Sequence, residues 1–395
     1  MKAIRIAILI LCACFGCPAW GQQSAASDWT EFHRTNMKRS NPYENILNVS
    51  NAGNLQLLWS SPTSGGILSS PVVANGILYV GPGNPGVSAG GIYAVDANTG
   101  AFLWTYGSPF QDVIGSPAVA NGTVYFGNTD TLNQNFFAVN AATGLPVWTY
   151  RTGNWVVSSP VTANGVVYTL SNDGNVYAFK ASSGIKLWSY FTGNQQGWPN
   201  PTSSPALANG VLYVGSGSHD NSLYALNART GAKLWSFTAG SLVTSSPAVA
   251  NGFVFVGAND GHLYVLDAQT GAQIWTSDNL VGMETAPALA NGVVYFCAED
   301  NFLYALNAKT GALIWNFNIG GWTRSSPAVA NGVVYVHGGD LGSLFALNAR
   351  TGALLGTYPT HDGLTRWGIF SSPAVVDGTV YVGSEDGNVY AFGLK

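Results

Sequence analysis

One block recurs around this chain eight times: Ser-Ser-Pro-Ala-Val-Ala-Asn-Gly, Val-Val-Tyr-Val-Gly, Leu-Tyr-Ala-Leu-Asn-Ala, then Thr-Gly-Ala-x-x-Trp. Its anchor prolines are Pro71, Pro117, Pro160, Pro205, Pro247, Pro287, Pro327 and Pro373, spaced by 46, 43, 45, 42, 40, 40 and 46 residues. A period of about 40–45 residues with several short strands per unit marks a propeller-like array. Units this small cannot bury a core alone, so the 395 residues form one assembly rather than two or three domains.

Each unit reads as four antiparallel strands. In the fifth copy, Ser-Ser-Pro-Ala-Val-Ala ends at Asn251-Gly252, a pair that suits a type I′ hairpin because both residues tolerate positive φ. Phe253 to Gly257 is the second strand, His262 to Asp267 the third, and Ala272 to Trp275 opens the fourth after Thr270-Gly271. The proline belongs at the first residue of a strand, where a missing N–H costs least. The tryptophan four residues after Thr-Gly, present as Trp104, Trp148, Trp188, Trp235, Trp275 and Trp315, is expected to wedge between blades. Six equivalent positions cannot serve one cofactor site.

The eighth copy stops at Lys395 after three strands, and an unpartnered strand, Asn54 to Trp59, precedes the first copy. The expected fold is therefore an all-β, eight-bladed propeller of four-stranded blades, spanning residues 54–395, whose last blade is completed by the N-terminal strand. Such closure removes the open edges that invite aggregation. Gly356 stands where the seventh copy should carry tryptophan, so that slot must be filled differently.

Composition narrows the partners. Charged residues make up 9% and the formal net charge is −4. With no basic run, nucleic acid is excluded as a partner class. Residues 1–21 read as an export signal: Lys2 and Arg5, an apolar stretch from Ile6 to Phe15, and Ala19-Trp20-Gly21 before a cleavage point. Leu11-Cys12-Ala13-Cys14 offers a second reading, lipidation at Cys14. Either way the expected location is the periplasm or the outer membrane, with residues 22–53 as a lead-in to the ring. Past the N-terminus no apolar run approaches the ~20 residues of a spanning helix. Three of four cysteines fall in the signal, which leaves Cys297 as an expected buried thiol without a disulfide partner.

These units resemble the pyrroloquinoline-quinone (PQQ) enzyme repeat, with its Ala-x-Asn/Asp-x-x-Thr-Gly-x-x-x-Trp signature. Ala228-Arg-Thr-Gly-Ala-Lys-Leu-Trp235 and Ala308-Lys-Thr-Gly-Ala-Leu-Ile-Trp315 match best, and the resemblance runs from about Leu55 to the end. It implies one of two roles. Quinoprotein dehydrogenases hold PQQ and calcium at the mouth of an eight-bladed propeller. A second branch binds no cofactor and scaffolds protein assembly, as does the lipoprotein propeller of the outer-membrane β-barrel assembly machine. The vicinal cysteine pair typical of the dehydrogenases is missing, as are Cys-x-x-Cys-His and the long insertions that roof the cofactor. The resemblance therefore points to an exported, non-catalytic, monomeric scaffold for an envelope protein or peptide, with no cofactor. A PQQ- and calcium-dependent alcohol or sugar dehydrogenase is the alternative.

In a symmetric array, function should sit where copies disagree. The turn residues Asp173, Asp260, Asp300 and Asp386 agree, and are expected to be structural. The five histidines are scattered and suggest no metal site. The segment before each proline varies most. Three residues before it stand Leu68, Ile114, Val157, Thr202, Thr244, Glu284, Arg324 and Phe370; five before, Asp112, Trp155 and Trp322 stand out. Period-two alternation predicts that both sets face one channel mouth. Asp112, Trp155, Trp198, Glu284, Trp322, Arg324, Arg366 and Trp367 are thus the candidate site, suited to a small anionic or planar ligand or a peptide. The alternative is that Glu284 and Arg324, equivalent positions in adjacent blades, simply pair.

Overall fold

The computed structural model describes residues 27–34, 37–83, 90–107, 112–133, 135–193, 203–216, 220–278, 280–339, 342–360 and 370–395. Eight sheets of four antiparallel strands surround one axis, and a 3₁₀ turn at Ala52–Asn54 is the one helical element among these residues. Blade 1 comprises Val72–Ala74, Ile77–Val80, Ile92–Asp96 and Phe102–Tyr106. Blades 2 to 7 repeat this order, each opening with a three-residue first strand after its anchor proline. First strands of neighbouring blades meet around the axis, so fourth strands lie outermost. Every Asn-Gly turn takes the predicted geometry, as at Asn251 (φ 52°) and Gly252 (φ 82°).

Blade 8 is stitched from both chain ends. Gln56–Pro62 pairs antiparallel with Asn388–Gly393, setting Trp59 opposite Ala391 and Ser60 opposite Tyr390. This closing strand also supplies a seventh wedge. Trp59, Trp104, Trp148, Trp188, Trp235, Trp275 and Trp315 each donate their indole N–H to an alanine carbonyl of the next blade, at 2.7–3.3 Å. The receiving alanine precedes Thr-Gly (Ser183-Gly184 after Ala181), and the glycine lies under the indole. A Cβ on Gly271 would come 2.6 Å from Trp235 Cε3. The Thr-Gly pair therefore serves the turn (φ 74° at Gly271) and the interblade contact together.

The slot over Gly356 is filled from within blade 7. Tyr358 folds back so that its hydroxyl would meet any Cβ at Gly356. That hydroxyl donates to Ala52 O and accepts from the Leu55 N–H, tying blade 7 to the start of the closing strand. Nearby in blade 7, Tyr335 Oη is buried with no hydrogen-bond partner.

The lead-in, unassigned by the repeat pattern, closes one end of the ring. The residue two after each anchor proline offers its backbone, and the lead-in takes these offers in blade order. The N–H groups of Val73 and Val119 donate to Trp29 O and Thr30 O; that of Thr162 donates to Glu31 Oε2. Leu207 N–H reaches Met37 Sδ, and Val249, Leu289 and Val329 donate to Met37 O, Lys38 O and Arg39 O. Asn41 Nδ2 donates to Val375 O in blade 8, and Ser40–Asn41 adds a fifth, parallel strand to blade 7. Backbone groups that would face an open channel are thereby satisfied.

This plug buries charge. Arg39, fully buried, donates to the carbonyls of Phe32, Ser326, Pro327 and Pro373 and lies 4.5 Å from the Phe32 ring centroid. Burial lowers its pKa to about 9. Glu31 is pushed up to about 8 by burial, against the opposing pull of its Thr162 bonds. His33 is held down at about 3, by burial first and then by Arg39.

Candidate functional site

The two serines of Ser-Ser-Pro have different jobs. The first closes its own blade: Ser69 Oγ accepts from Gly81 N–H, Ser203 Oγ from Gly215, Ser371 Oγ from Gly383. The second links blades. Ser70 N–H donates to Ser116 Oγ, Ser116 to Ser159, Ser159 to Ser204 and Ser204 to Ser246, while Ala286 N–H donates to Ser326, Ser326 to Ser372, and Ser372 back to Ser70, all at 2.8–3.0 Å. The ring lacks one bond, where Ala286 replaces serine.

Above this ring lies an axial cavity of about 110 Å³, floored by Phe32 of the plug. Its upper wall is Leu68, Ile114, Val157, Thr244, Glu284, Arg324 and Phe370, the third residues before seven of the prolines. The residues three before the proline therefore face the axis. Those two residues further do not: among the described residues, Asp112, Trp155 and Trp322 do not line the cavity. Strand begins only after the proline, so no pleat governs either set and each position answers to its own contacts. Asp112 and Trp155 instead bind the loop between the second and third strands of their own blade. Thr129 N–H donates to Asp112 O and Asn172 N–H to Trp155 O. Burial raises the Asp112 carboxyl above its ordinary range. Trp198, Arg366 and Trp367 lie outside the described residues.

Glu284 and Arg324 come together. Arg324 Nε stands 2.5 Å from Glu284 Oε2, with side chains 17% and 8% exposed. The guanidinium is also flanked by the Trp322 and Phe370 rings, at 4.7 and 4.9 Å from their centroids. Burial holds Glu284 above the usual carboxylate range although Arg324 pulls it down; Glu299 adds a push upward. Trp322 Nε1 is buried without a hydrogen-bond partner. The candidate site is thus a small, mostly apolar well whose one described cation is already matched by a carboxylate. Cys297 is a fully buried thiol, its pKa raised by burial and then by Asp300, and so is unreactive. The turn aspartates are structural: Asp173, Asp260, Asp300 and Asp386 each accept from the tyrosine hydroxyl four residues on.

A family model described as outer membrane protein assembly factor BamB matches residues 88–219, 192–285, 219–317 and 279–395. Among curated proteins, the chain is similar to quinoprotein alcohol dehydrogenase PedH of Pseudomonas putida, 28% identical over 31% of this chain and 22% of that protein. It is also similar to outer membrane protein assembly factor BamB of Yersinia pestis, 30% identical over 33% of this chain and 35% of that protein. These matches span a third or less of either relative's length, or close to it. The solved structure of BamB from Moraxella catarrhalis shares the fold, with a TM-score of 0.71 and 18% identity over 86% of this chain and 100% of that one.

Proposed function

The chain belongs to the family described as outer membrane protein assembly factor BamB, and from that membership we propose that it is an exported, non-catalytic scaffold that binds extended protein segments in the bacterial envelope. One observation carries this reading. The outermost strand of each blade pairs on its inner side with the third strand, and the residue before each wedge tryptophan is an exposed aliphatic. Leu58, Leu103, Val147, Leu187, Leu234, Ile274 and Ile314 are 37–51% exposed. An open strand edge beside apolar side chains is what an incoming strand needs: main-chain bonds for affinity and alternate side chains for contact.

The axial well supports a role other than quinone chemistry. PQQ is a planar polyanion held with a calcium ion, and would call for several cations and a carboxylate set for the metal. The described wall offers Arg324, already paired to Glu284, and no group of three or more metal-ligating side chains occurs among the described residues. Among the described residues, this wall offers fewer cations and carboxylates than the cofactor and its calcium would call for. The likeness to PedH is the observation behind the second reading.

Two titrations test the proposal. A labelled peptide of alternating apolar and polar residues should raise its anisotropy on binding, and Leu187→Asp with Leu234→Asp should weaken it about tenfold. A helical peptide of the same composition should not bind. No anisotropy change up to millimolar peptide would end the strand-binding reading. Quenching of tryptophan fluorescence by PQQ with calcium, together with dye reduction by an alcohol, would establish the second.

A further inference from the structure

The seven wedge interfaces are near copies, and one departs from the rest. In six, the wedge indole is tilted 41–48° against a tyrosine of the second strand, with centroids 5.8–5.9 Å apart. In five of those, the tyrosine hydroxyl also donates to the alanine carbonyl that receives the indole N–H: Tyr79 and Tyr125, for example, to Ala141 and Ala181. At the junction of blades 5 and 6 that tyrosine is Phe255. The ring stands 6.5 Å from Trp275 at 71°, and the Trp275 bond to Ala308 O lengthens to 3.3 Å. Ala308 O therefore has no tyrosine donor.

A cavity of about 240 Å³ opens here, on the face closed by the lead-in. Phe253, Phe255 and Leu289 supply an apolar floor, Ala308 lines it, and Lys38 and Lys309 stand at its edge. Phe253 is also particular to blade 5, since the corresponding residues are Ile77, Thr123, Val166, Val211, Val293, Val333 and Thr379. Lys38 is positioned by its own backbone, whose carbonyl accepts from Leu289 N–H at 2.8 Å. The nearby acid, Asp267, pairs in register with Phe253, but its carboxylate is turned into its hairpin, accepting from Gln269 and Thr270.

We propose that this interblade cavity is a binding site for a small aromatic carboxylate bearing a ring hydroxyl. The ring lies on Phe253, Phe255 and Leu289. The hydroxyl donates to Ala308 O, taking the part played by tyrosine elsewhere in the ring, and the carboxylate faces the Lys309 ammonium at the edge. The site is separate from the outer strands and stands or falls independently of the scaffold reading.

The probe is 4-hydroxybenzoate, followed by calorimetry and saturation-transfer NMR on the whole protein, with 4-hydroxybenzamide as its uncharged counterpart. Saturable binding of the acid is expected, with the amide about tenfold weaker and Lys309→Gln costing about threefold. Phe255→Tyr restores the repeat residue, returns a hydroxyl to Ala308 and should abolish binding in a folded protein. Phe253→Val installs the residue of four other blades and should weaken acid and amide alike. Absence of saturable binding, equal affinity for acid and amide, or an unchanged affinity in Phe255→Tyr would each overturn the assignment.

Discussion

Two glycines with nearly the same backbone separate turn strain from interblade packing. Gly252 (φ 82°) ends a hairpin with nothing within 4 Å of an added Cβ, whereas Gly271 (φ 74°) lies beneath Trp235. Gly252→Ala should cost only the left-handed penalty, about 1–2 kcal/mol. Gly271→Ala carries the same penalty and a collision. Its Cβ would sit 2.6 and 2.7 Å from Trp235 Cε3 and Cδ2, where carbon contacts normally lie at about 3.5–4.0 Å. The indole must retreat by about 1 Å. That overpacks the junction, at about 1–3 kcal/mol. It also weakens the 3.1 Å bond to Ala268 O, worth about 1 kcal/mol. The two variants should therefore differ by about 2–4 kcal/mol in urea unfolding followed by circular dichroism. In a Trp235→Leu background the excess at position 271 should largely vanish, a coupling read from the double-mutant cycle. Equal losses at the two glycines, or no coupling, would refute the account of Thr-Gly as an interblade device.

Tyr358→Phe removes the hydroxyl that binds Ala52 and Leu55. It should cost about 1–2 kcal/mol and speed amide exchange at Leu55; unchanged exchange would mean the closing strand is held elsewhere. The plug should titrate in two directions. Glu31 has a folded pKa raised to about 8, so its contribution is fully present below its ordinary value of 4.5 and is lost as pH rises through about 8. His33 has a folded pKa lowered to about 3, so its contribution is present above 6.5 and is lost as pH falls toward 3. Glu31→Gln should flatten the alkaline limb of a melting-temperature profile and leave the acid limb, and the opposite pattern would reverse the assignment. Glu284→Ala leaves Arg324 without its carboxylate and should cost about 2–3 kcal/mol in urea unfolding; no loss would mark the pair as solvated.

What could be read at the mouth was partial, and the boundary is physical. Residues three before the proline line the well, and the interblade serine bonds one residue before it hold that stretch against the axis. Asp112 and Trp155 do not line it because their carbonyls are bound to their own blade's loop. The Glu284–Arg324 pairing was accessible as an alternative, since equivalent positions in adjacent blades must be neighbours in a closed ring. The flanking of Arg324 by Trp322 and Phe370 was not, because it depends on side-chain directions that spacing leaves open. The cavity between blades 5 and 6 carried a usable signal, two phenylalanines where the other copies have smaller residues or tyrosine.

The amino-acid sequence alone determined the blade count, the four strands per blade, the type I′ turns, the wedge tryptophans and the shared last blade. All of these arise from local turn chemistry and from a repeated pattern in which each copy confirms the next. Only the tertiary structure decided that residues 29–34 and 37–41 satisfy the inner strands of the ring in order, that Tyr358 occupies the place of a missing indole, and that Arg39 is held at the centre by carbonyls. Those arrangements join residues tens to hundreds of positions apart at unrepeated sites. No periodicity reports on them, and they exist only once the ring has closed around its axis.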